Sequence, residues 1–389
     1  MREITGYERK NGKYGVRNHV LVMATVSCVN GVVNRISREV PEAVCVPHSY
    51  GCGRGSARET QILFRILASM VHHPNVGAVV LIGLGCERSN TKALLPFVEK
   101  AEKPVELFNV QDCGSLQTAK KGTEAARRMF AEISGQQRVP LPWDRLLVAM
   151  ECGGSDAMSG VTANVALGAV SDWLVGKGSS VIFGENTEMI GTAHVLTRRA
   201  RNEEVAKKIV AMIDQAEQRT KDIMGPLASW VISPGNMDGG MSTIAEKSMG
   251  CIHKGGTTTI NQVVDYGEWP TEKGLILQDG PGYDDAGEGN QLPHTPELNP
   301  FHIAAQTGCA YGTGRQGQST AFFALGAHDL LFLQKLLVRI IVERSVVHEL
   351  PPLQNGKGAS AARAAQIMST PHSQIPIRNL PFPCSAFQL

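Results

Sequence analysis

The chain has 389 residues, and its 38 Lys and Arg nearly balance its 36 Asp and Glu, which leaves a formal net charge of +2. No run of basic residues is interleaved with aromatic ones, so nothing in the composition favours nucleic-acid binding. The most apolar late stretch, 322–342, contains the charged residues Asp329 and Lys335 and therefore does not predict a membrane span.

The cysteines and the amino terminus indicate the compartment. Nine cysteines are an odd number in a chain of ordinary size, and the first ten residues lack the apolar core of a signal peptide. Both features favour reduced thiols in the cytoplasm.

The first third of the chain alternates short apolar runs with segments of helical periodicity. This alternation predicts a parallel, doubly wound sheet. The predicted strands are 20–26, 43–46, 78–82 and 105–109, and the predicted helices are 29–39, 58–71, 91–101 and 115–133.

The same plan begins again after a candidate linker at 136–143, which carries two prolines. The predicted strands here are 146–150, 180–183 and 275–277, and the predicted helices are 163–175 and 192–224. The segment 232–259 is rich in Gly, Ser and Thr and unlike the rest.

The predicted fold class is therefore α/β, with two Rossmann-like, doubly wound parallel-sheet domains at 1–136 and 144–284. An atypical region, 285–389, follows. Its last part, 351–389, has six prolines and neither Asp nor Glu, which predicts a disordered tail.

Cysteine or histidine follows several of the predicted strands. Cys28, Cys86 and Cys152 each come at the end of one, and the strand 43–46 leads into a loop with His48 and Cys52. Ligands of open α/β sheets bind beyond the carboxyl ends of the strands, so these side chains predict a metal or catalytic site. The alternatives are packing for the thiols and a hydrogen bond to a backbone carbonyl for the imidazole.

A loop of small polar residues precedes the helix 163–175. Its glycines and hydroxyl groups offer N–H donors to an anion such as a carboxylate. Asp156 has the alternative role of a helix cap. The candidate substrate-binding residues are Gly153, Gly154, Ser155, Asp156 and Asn164.

Two carboxylates three residues apart, Glu185 and Glu188, follow the strand 180–183 and are candidates for acid and base or for metal ligation. The alternative is a solvated helix start. Lys247 is a candidate partner for a substrate carboxylate, or else a surface lysine. Cys251 and His253 would face opposite ways in an extended segment, which argues against one shared ion.

Several motifs together resemble the large catalytic region of the altronate and galactarate dehydratases, most of all altronate dehydratases. They occur in the family's order over about residues 5–283. The motifs are GYERKNGKYGVRNHV, SCVNG, HSYGC, HHPNVGAVVLIGLGCE, ECGGSDAMSGVTANVALG, GENTEMIG, SPGN and EKSMGCIHKGG.

The resemblance implies elimination of water from a sugar acid, altronate being favoured, to give a 2-keto-3-deoxy acid. It also implies dependence on Fe(II) or another divalent metal. The implied catalytic residues are Glu185, Glu188 and His48, with 153–164 as the substrate loop. The implied pool of metal ligands is Cys28, His48, Cys52, Cys86 and Cys152.

The sulfolactate sulfo-lyase β-subunit is a more distant relative and gives the alternative of carbon–sulfur cleavage. It lacks the cysteines of the HSYGC and GLGCE motifs, whereas this chain has Cys52 and Cys86.

The family's small β-rich domain is absent here, which implies a small partner subunit. A homo-oligomer is a further expectation. The family's apolar strand and Gly-Arg-Gly loop are not found after Gly282. A shifted reading frame beyond about residue 284, and thus an inactive or truncated member, is a further alternative.

Overall fold

The computed structural model describes residues 4–48, 50–52, 57–87, 91–152, 156–226, 232, 234–280 and 302–305. The strands are β1 (Thr5–Glu8), β2 (Tyr14–Gly15), β3 (His19–Ala24), β4 (Val44–Val46), β5 (Val76–Gly83), β6 (Val105–Asn109), β7 (Val139–Pro140), β8 (Leu147–Cys152), β9 (Ser180–Phe183), β10 (Ile260–Asp265), β11 (Leu275–Asp279) and β12 (His302–Ala305). The helices are α1 (Asn30–Glu39), α2 (Ala57–His72), α3 (Thr91–Val98), α4 (Val110–Ser134), α5 (Ala163–Gly176), α6 (Ala193–Leu196), α7 (Glu203–Met224), α8 (Pro234–Asp238) and α9 (Ile244–Cys251).

The first large sheet is parallel, with the strand order β4-β3-β5-β6. Every residue of β5 is buried, as expected for a strand whose two faces are both covered by helices. On one face Ile36 of α1 packs with Val22 and Ile82, and on the other Leu67 of α2 packs with Leu81. This arrangement confirms the predicted doubly wound sheet.

The second large sheet is also parallel, with the order β10-β11-β9-β8-β12. Ile182, Val264 and Ile276 of three different strands form a buried cluster. Helix α5 packs against β9, and α7 packs against β10. The predicted α/β class therefore holds for both halves of the chain.

The candidate linker at 136–143 is part of a third, antiparallel sheet of order β2-β1-β7. In it Thr5 pairs with Pro140, and Arg138 donates to Thr5 O (2.5 Å) and Val16 O (3.0 Å). The start of the chain is thus hydrogen-bonded to the junction between the two large sheets. The domain boundaries remain a prediction.

The single helix predicted at 192–224 is wrong. Helix α6 and a 3-10 turn end at Arg199, and α7 begins at Glu203. The chain leaves helical geometry between them because Arg201 N donates to Ile260 O (3.0 Å). Asn202 then caps α7, since its Oδ1 accepts from Val205 N (2.9 Å).

Sequence reasoning also missed β10, and it missed the helices α8 and α9 within the Gly-rich segment 232–259. Strand β12, which pairs with β8, lies in the region predicted to be atypical. The predicted tail 351–389 and the stretch 322–342 lie outside the described residues. Within the described part of the chain, no helix is long and apolar enough to cross a membrane.

Candidate active site

Two buried carboxylates lie just beyond the carboxyl end of β9. Glu185 and Glu188 are 4% and 5% exposed; Glu185 precedes the 3-10 turn Asn186–Met189, and Glu188 lies within it. Asn186 Nδ2 holds this turn by donating to Asp279 Oδ1 (2.8 Å) at the end of β11. The alternative of a solvated helix start is therefore wrong for this pair.

Each glutamate forms an ion pair with a lysine. Glu185 pairs with Lys254, whose side chain is fully buried, and Glu188 Oε1 lies 2.6 Å from Lys247 Nζ. Lys247 is the more accessible cation, with 14% of its side chain exposed. It is thus not an ordinary surface lysine. A carboxylate and an ammonium group in contact offer one proton acceptor and one proton donor at the same place.

Cys251 completes this cluster. Its Sγ lies 3.9 Å from Glu185 Oε2, and one ligand atom each from Glu185, Glu188 and Cys251 lie within 4.8 Å of one another. In the described part of the chain, this is the one group that brings three such ligand atoms together. Sequence reasoning weighs Cys251 only as a partner of His253 and passes over Lys254.

The missed signal is helical spacing in the EKSMGCIHKGG motif. Lys247, Cys251 and Lys254 stand at i, i+4 and i+7, which lie on one face of a helix. Helix α9 and the 3-10 turn Ile252–Gly255 provide that geometry, whereas the sequence argument considers only an extended segment.

A small residue lets α5 approach this cluster. A Cβ atom on Gly168 would lie 2.1 Å from His253 O, so α5 packs directly on the turn that carries Lys254. Ser171 Oγ adds a hydrogen bond to Lys254 O (2.6 Å). The backbone beside the buried lysine is therefore held by α5.

Buried side-chain atoms with no hydrogen-bond partner in the described structure include Glu188 Oε2 and Asn186 Oδ1 in the turn Asn186–Met189, and Ser248 Oγ on α9. Buried polar atoms are nearly always hydrogen-bonded in folded proteins. An acceptor and a hydroxyl without partners are thus available for a ligand.

The predicted substrate loop is described in part. Asn164 is buried and donates from Nδ2 to Gly250 O (3.1 Å), which joins α5 to α9. Asp156 Oδ1 accepts from Met158 N (2.8 Å) and Ser159 N (2.7 Å), so it caps a turn. Residues 153–155 lie outside the described residues, and the substrate-binding role remains a prediction.

His48 is 2% exposed, and both of its ring nitrogens contact the backbone. Nδ1 accepts from Tyr50 N (3.2 Å), so Nε2 donates to Ala24 O (2.8 Å). Burial lowers the pKa of His48, which favours the neutral ring that these bonds require. The backbone hydrogen bond considered as an alternative is present, and metal ligation would require the loss of one of these bonds.

Three cysteines of the predicted ligand pool follow strands of the first sheet, whereas the glutamate cluster follows β9 of the second sheet. Cys28, Cys52 and Cys86 are exposed in loops at the carboxyl edge of the first sheet. In the described structure they form no group of three ligand atoms within 4.8 Å. The side chain of Cys152 is outside the described set, and metal binding by the pool remains a prediction.

Comparison with known proteins identifies the family. The model of the D-galactarate/altronate dehydratase C-terminal domain matches residues 143–292, and the model of the D-galactarate dehydratase/altronate hydrolase second domain matches residues 6–134. The chain belongs to this family.

Curated relatives in the family are similar over about three quarters of the chain. It is 37% identical over 298 residues to an altronate dehydratase of Bacillus subtilis, and 34% identical over 297 residues to that of Escherichia coli. These matches cover 73% of this chain but only 58% and 59% of the two relatives.

A third relative is matched over more of its length. It is the (2R)-sulfolactate sulfo-lyase subunit beta of Chromohalobacter salexigens, 32% identical over 284 residues, which are 72% of this chain and 71% of that protein. The chain thus spans less than two thirds of the length of the two altronate dehydratases, but more than two thirds of this subunit.

The Glu185–Lys254 ion pair predicts a strong effect on stability. Lys254→Met leaves a buried carboxylate without its cation, so the free energy of unfolding should fall by about 3–5 kcal/mol in urea titrations. The control is Lys207→Met, which breaks a pair with Glu203 whose side chains are 75% and 83% exposed. It should change the free energy by less than about 1 kcal/mol. Equal losses in the two variants would contradict the importance of the buried pair.

Proposed function

We propose that the chain is the catalytic part of a hydro-lyase that removes water from a sugar acid, altronate being the favoured substrate. The observation that carries this proposal is the pair of buried glutamate–lysine contacts after β9. The names of the relatives, altronate and galactarate dehydratases, support the substrate class.

The reaction needs one group that accepts a proton and one that donates a proton. A base removes the proton from C2 of the sugar acid, and the electron pair forms the C2–C3 double bond. The C3 hydroxyl group takes up a proton and leaves as water. The resulting enol tautomerises to the 2-keto-3-deoxy acid.

The hydrogen bonding and exposure of each residue in the cluster suggest its role in this reaction. Glu188 Oε2 accepts no hydrogen bond in the described part of the chain, and Glu188 is the proposed base. Lys247, the more accessible lysine, is the proposed partner of the substrate carboxylate. Glu185 is held by the fully buried Lys254, and we assign it the role of positioning the cluster.

The donor set also fits a divalent cation such as Fe(II). Glu185, Glu188 and Cys251 offer two carboxylates and a thiol, and Glu188 Oε2 is a buried acceptor without a partner in the described structure. Such an ion supplies Lewis acidity that stabilises negative charge on a substrate carboxylate. The strand-end cysteines are the alternative ligands.

A second candidate function is carbon–sulfur cleavage of a sulfonate such as sulfolactate. The observation in its favour is the match to the sulfo-lyase subunit beta, which is 32% identical over 284 residues. That relative is named as a subunit, and we therefore propose a small partner subunit as part of the assembly.

The substrate can be determined with a panel of acids. Anaerobic, Fe(II)-loaded protein should release a 2-keto-3-deoxy acid from altronate, with less or no product from galactarate and sulfolactate. Keto acids are measured as their semicarbazones, and sulfite is measured by its reaction with a chromogenic disulfide. Sulfite from sulfolactate alone would establish the second candidate, and no product from any acid would leave the chain as an inactive family member.

Glu188→Gln keeps the shape of the side chain but removes the proposed base. We therefore expect kcat to fall by about a hundredfold or more, with little change in circular dichroism. The matched control is Glu246→Gln on the same helix as Lys247, because Glu246 is exposed and its side chain accepts only from Ser242 among its described contacts. Near-normal turnover by Glu188→Gln would rule out this base.

The metal ligands can be separated by single substitutions. If the glutamate cluster holds iron, Cys251→Ala should lower the bound Fe(II) per chain, whereas Cys52→Ala and Cys86→Ala should retain it. The reverse result would assign the metal to the strand-end cysteines at the first sheet. Iron content is measured by inductively coupled plasma spectrometry after anaerobic loading and gel filtration.

A further inference from the structure

Positively charged side chains converge on one loop at the opposite, amino edge of the first sheet. This loop, 73–76, leads into β5. Arg9 Nε donates to Pro74 O (2.6 Å), and Lys103 Nζ donates to His73 O (2.9 Å) and Val76 O (2.8 Å). Two cations from distant parts of the sequence therefore meet at the same four residues.

Lys13 brings a third cation to this place. Its Nζ lies 3.7 Å from the centroid of the Trp269 ring, and the same ring makes an edge contact with His73 at 6.5 Å. Trp269 belongs to the connection between β10 and β11. The hairpin β1–β2, the first sheet and a loop of the second sheet thus border one cationic surface.

These three cations have no acidic partner in the described part of the chain. No carboxylate forms an ion pair with Arg9, Lys13 or Lys103, and the charged groups that act on Lys103 are the other two cations. Burial is the larger cause and lowers the pKa of Lys103 to about 7 and that of Arg9 to about 10. Cations that are partly removed from water are normally paired with an anion.

The loop itself carries a side-chain donor without an acceptor in the described structure, on Asn75. Asn75 is fully buried, and its Oδ1 accepts from Val16 N (2.9 Å), which fixes the orientation of the amide. Its Nδ2 has no acceptor in the described structure. The backbone carbonyls of the loop accept one hydrogen bond from Arg9 and two from Lys103, but a carbonyl dipole does not neutralise a full positive charge.

We propose that Arg9, Lys13 and Lys103 form a binding site for a small oxyanion with a phosphate or carboxylate group. All three side chains are partly exposed, so a ligand can reach them from solvent. The arginine fork suits either group, and the lysines add point charges. The site is separate from the glutamate cluster, which follows the carboxyl end of β9, so it would serve an effector or a structural ion.

The test is the thermal stability of the full chain in phosphate and in citrate, each against sodium chloride at constant ionic strength. Above its Kd, each tenfold increase in a bound anion should raise the Tm by about 1–4 °C. A response to phosphate alone identifies a phosphate ligand, and a response to citrate alone identifies a carboxylate ligand.

Three variants make the result specific. Lys103→Met and Lys13→Met should each lose the anion-dependent rise in Tm, and Lys103→Met should be more stable than the unaltered chain in chloride at pH 6. Lys120→Met, an exposed position on α4, should respond as the unaltered chain does.

The proposal is overturned if neither anion raises the Tm of the unaltered chain, or if Lys103→Met and Lys13→Met respond as fully as Lys120→Met. Should Lys103→Met fail to fold, Lys13→Met decides between these outcomes. Isothermal titration of the unaltered chain with the responding anion gives the stoichiometry, and one anion per chain is expected.

Discussion

The candidate active site depends on the neutralisation of buried carboxylates. An isolated carboxylate is very costly to bury, and Lys254 and Lys247 supply the opposite charge beside Glu185 and Glu188. The two lysines come from one short stretch of chain, α9 and the turn after it. The position of that stretch is therefore the constraint on which the arrangement of the site depends.

Several contacts hold this stretch in place. Gly168 allows α5 to touch its backbone, and Asn164 Nδ2 donates to Gly250 O. On the other side, Asn186 ties the glutamate turn to the end of β11. Buried ion pairs are weak evidence for a gain in stability, because the cost of desolvation can exceed the attraction. Here their significance is chemical, since they place proton acceptors and donors together.

The first sheet distributes its chemistry differently. Its carboxyl-edge loops are joined by hydrogen bonds that use the polar residues of the motifs. Glu87, for example, accepts from Thr25 Oγ1 (2.6 Å) and Gly85 N (2.7 Å), and His48 contacts the backbone through both ring nitrogens. The motif residues at this edge therefore also have a structural role. The exposed thiols remain available for chemistry, and Arg9, Lys13 and Lys103, which form no ion pair with the residues that the structure describes, lie at the opposite edge.

The sequence by itself determined the α/β class, the strands of the first sheet and the family, because buried parallel strands leave continuous apolar runs and the motifs are specific. It also identified Glu185, Glu188 and Lys247 as candidates. Only the tertiary structure decided that Cys251 and Lys254 join them, since a Gly-rich segment gives little local signal for helix and the partners are more than sixty residues apart. Likewise, one hydrogen bond of the His48 ring goes to Ala24 O, at the end of a different strand, β3. Spacing along a chain predicts which side chains share one element, whereas the pairing of charges between elements is determined by packing.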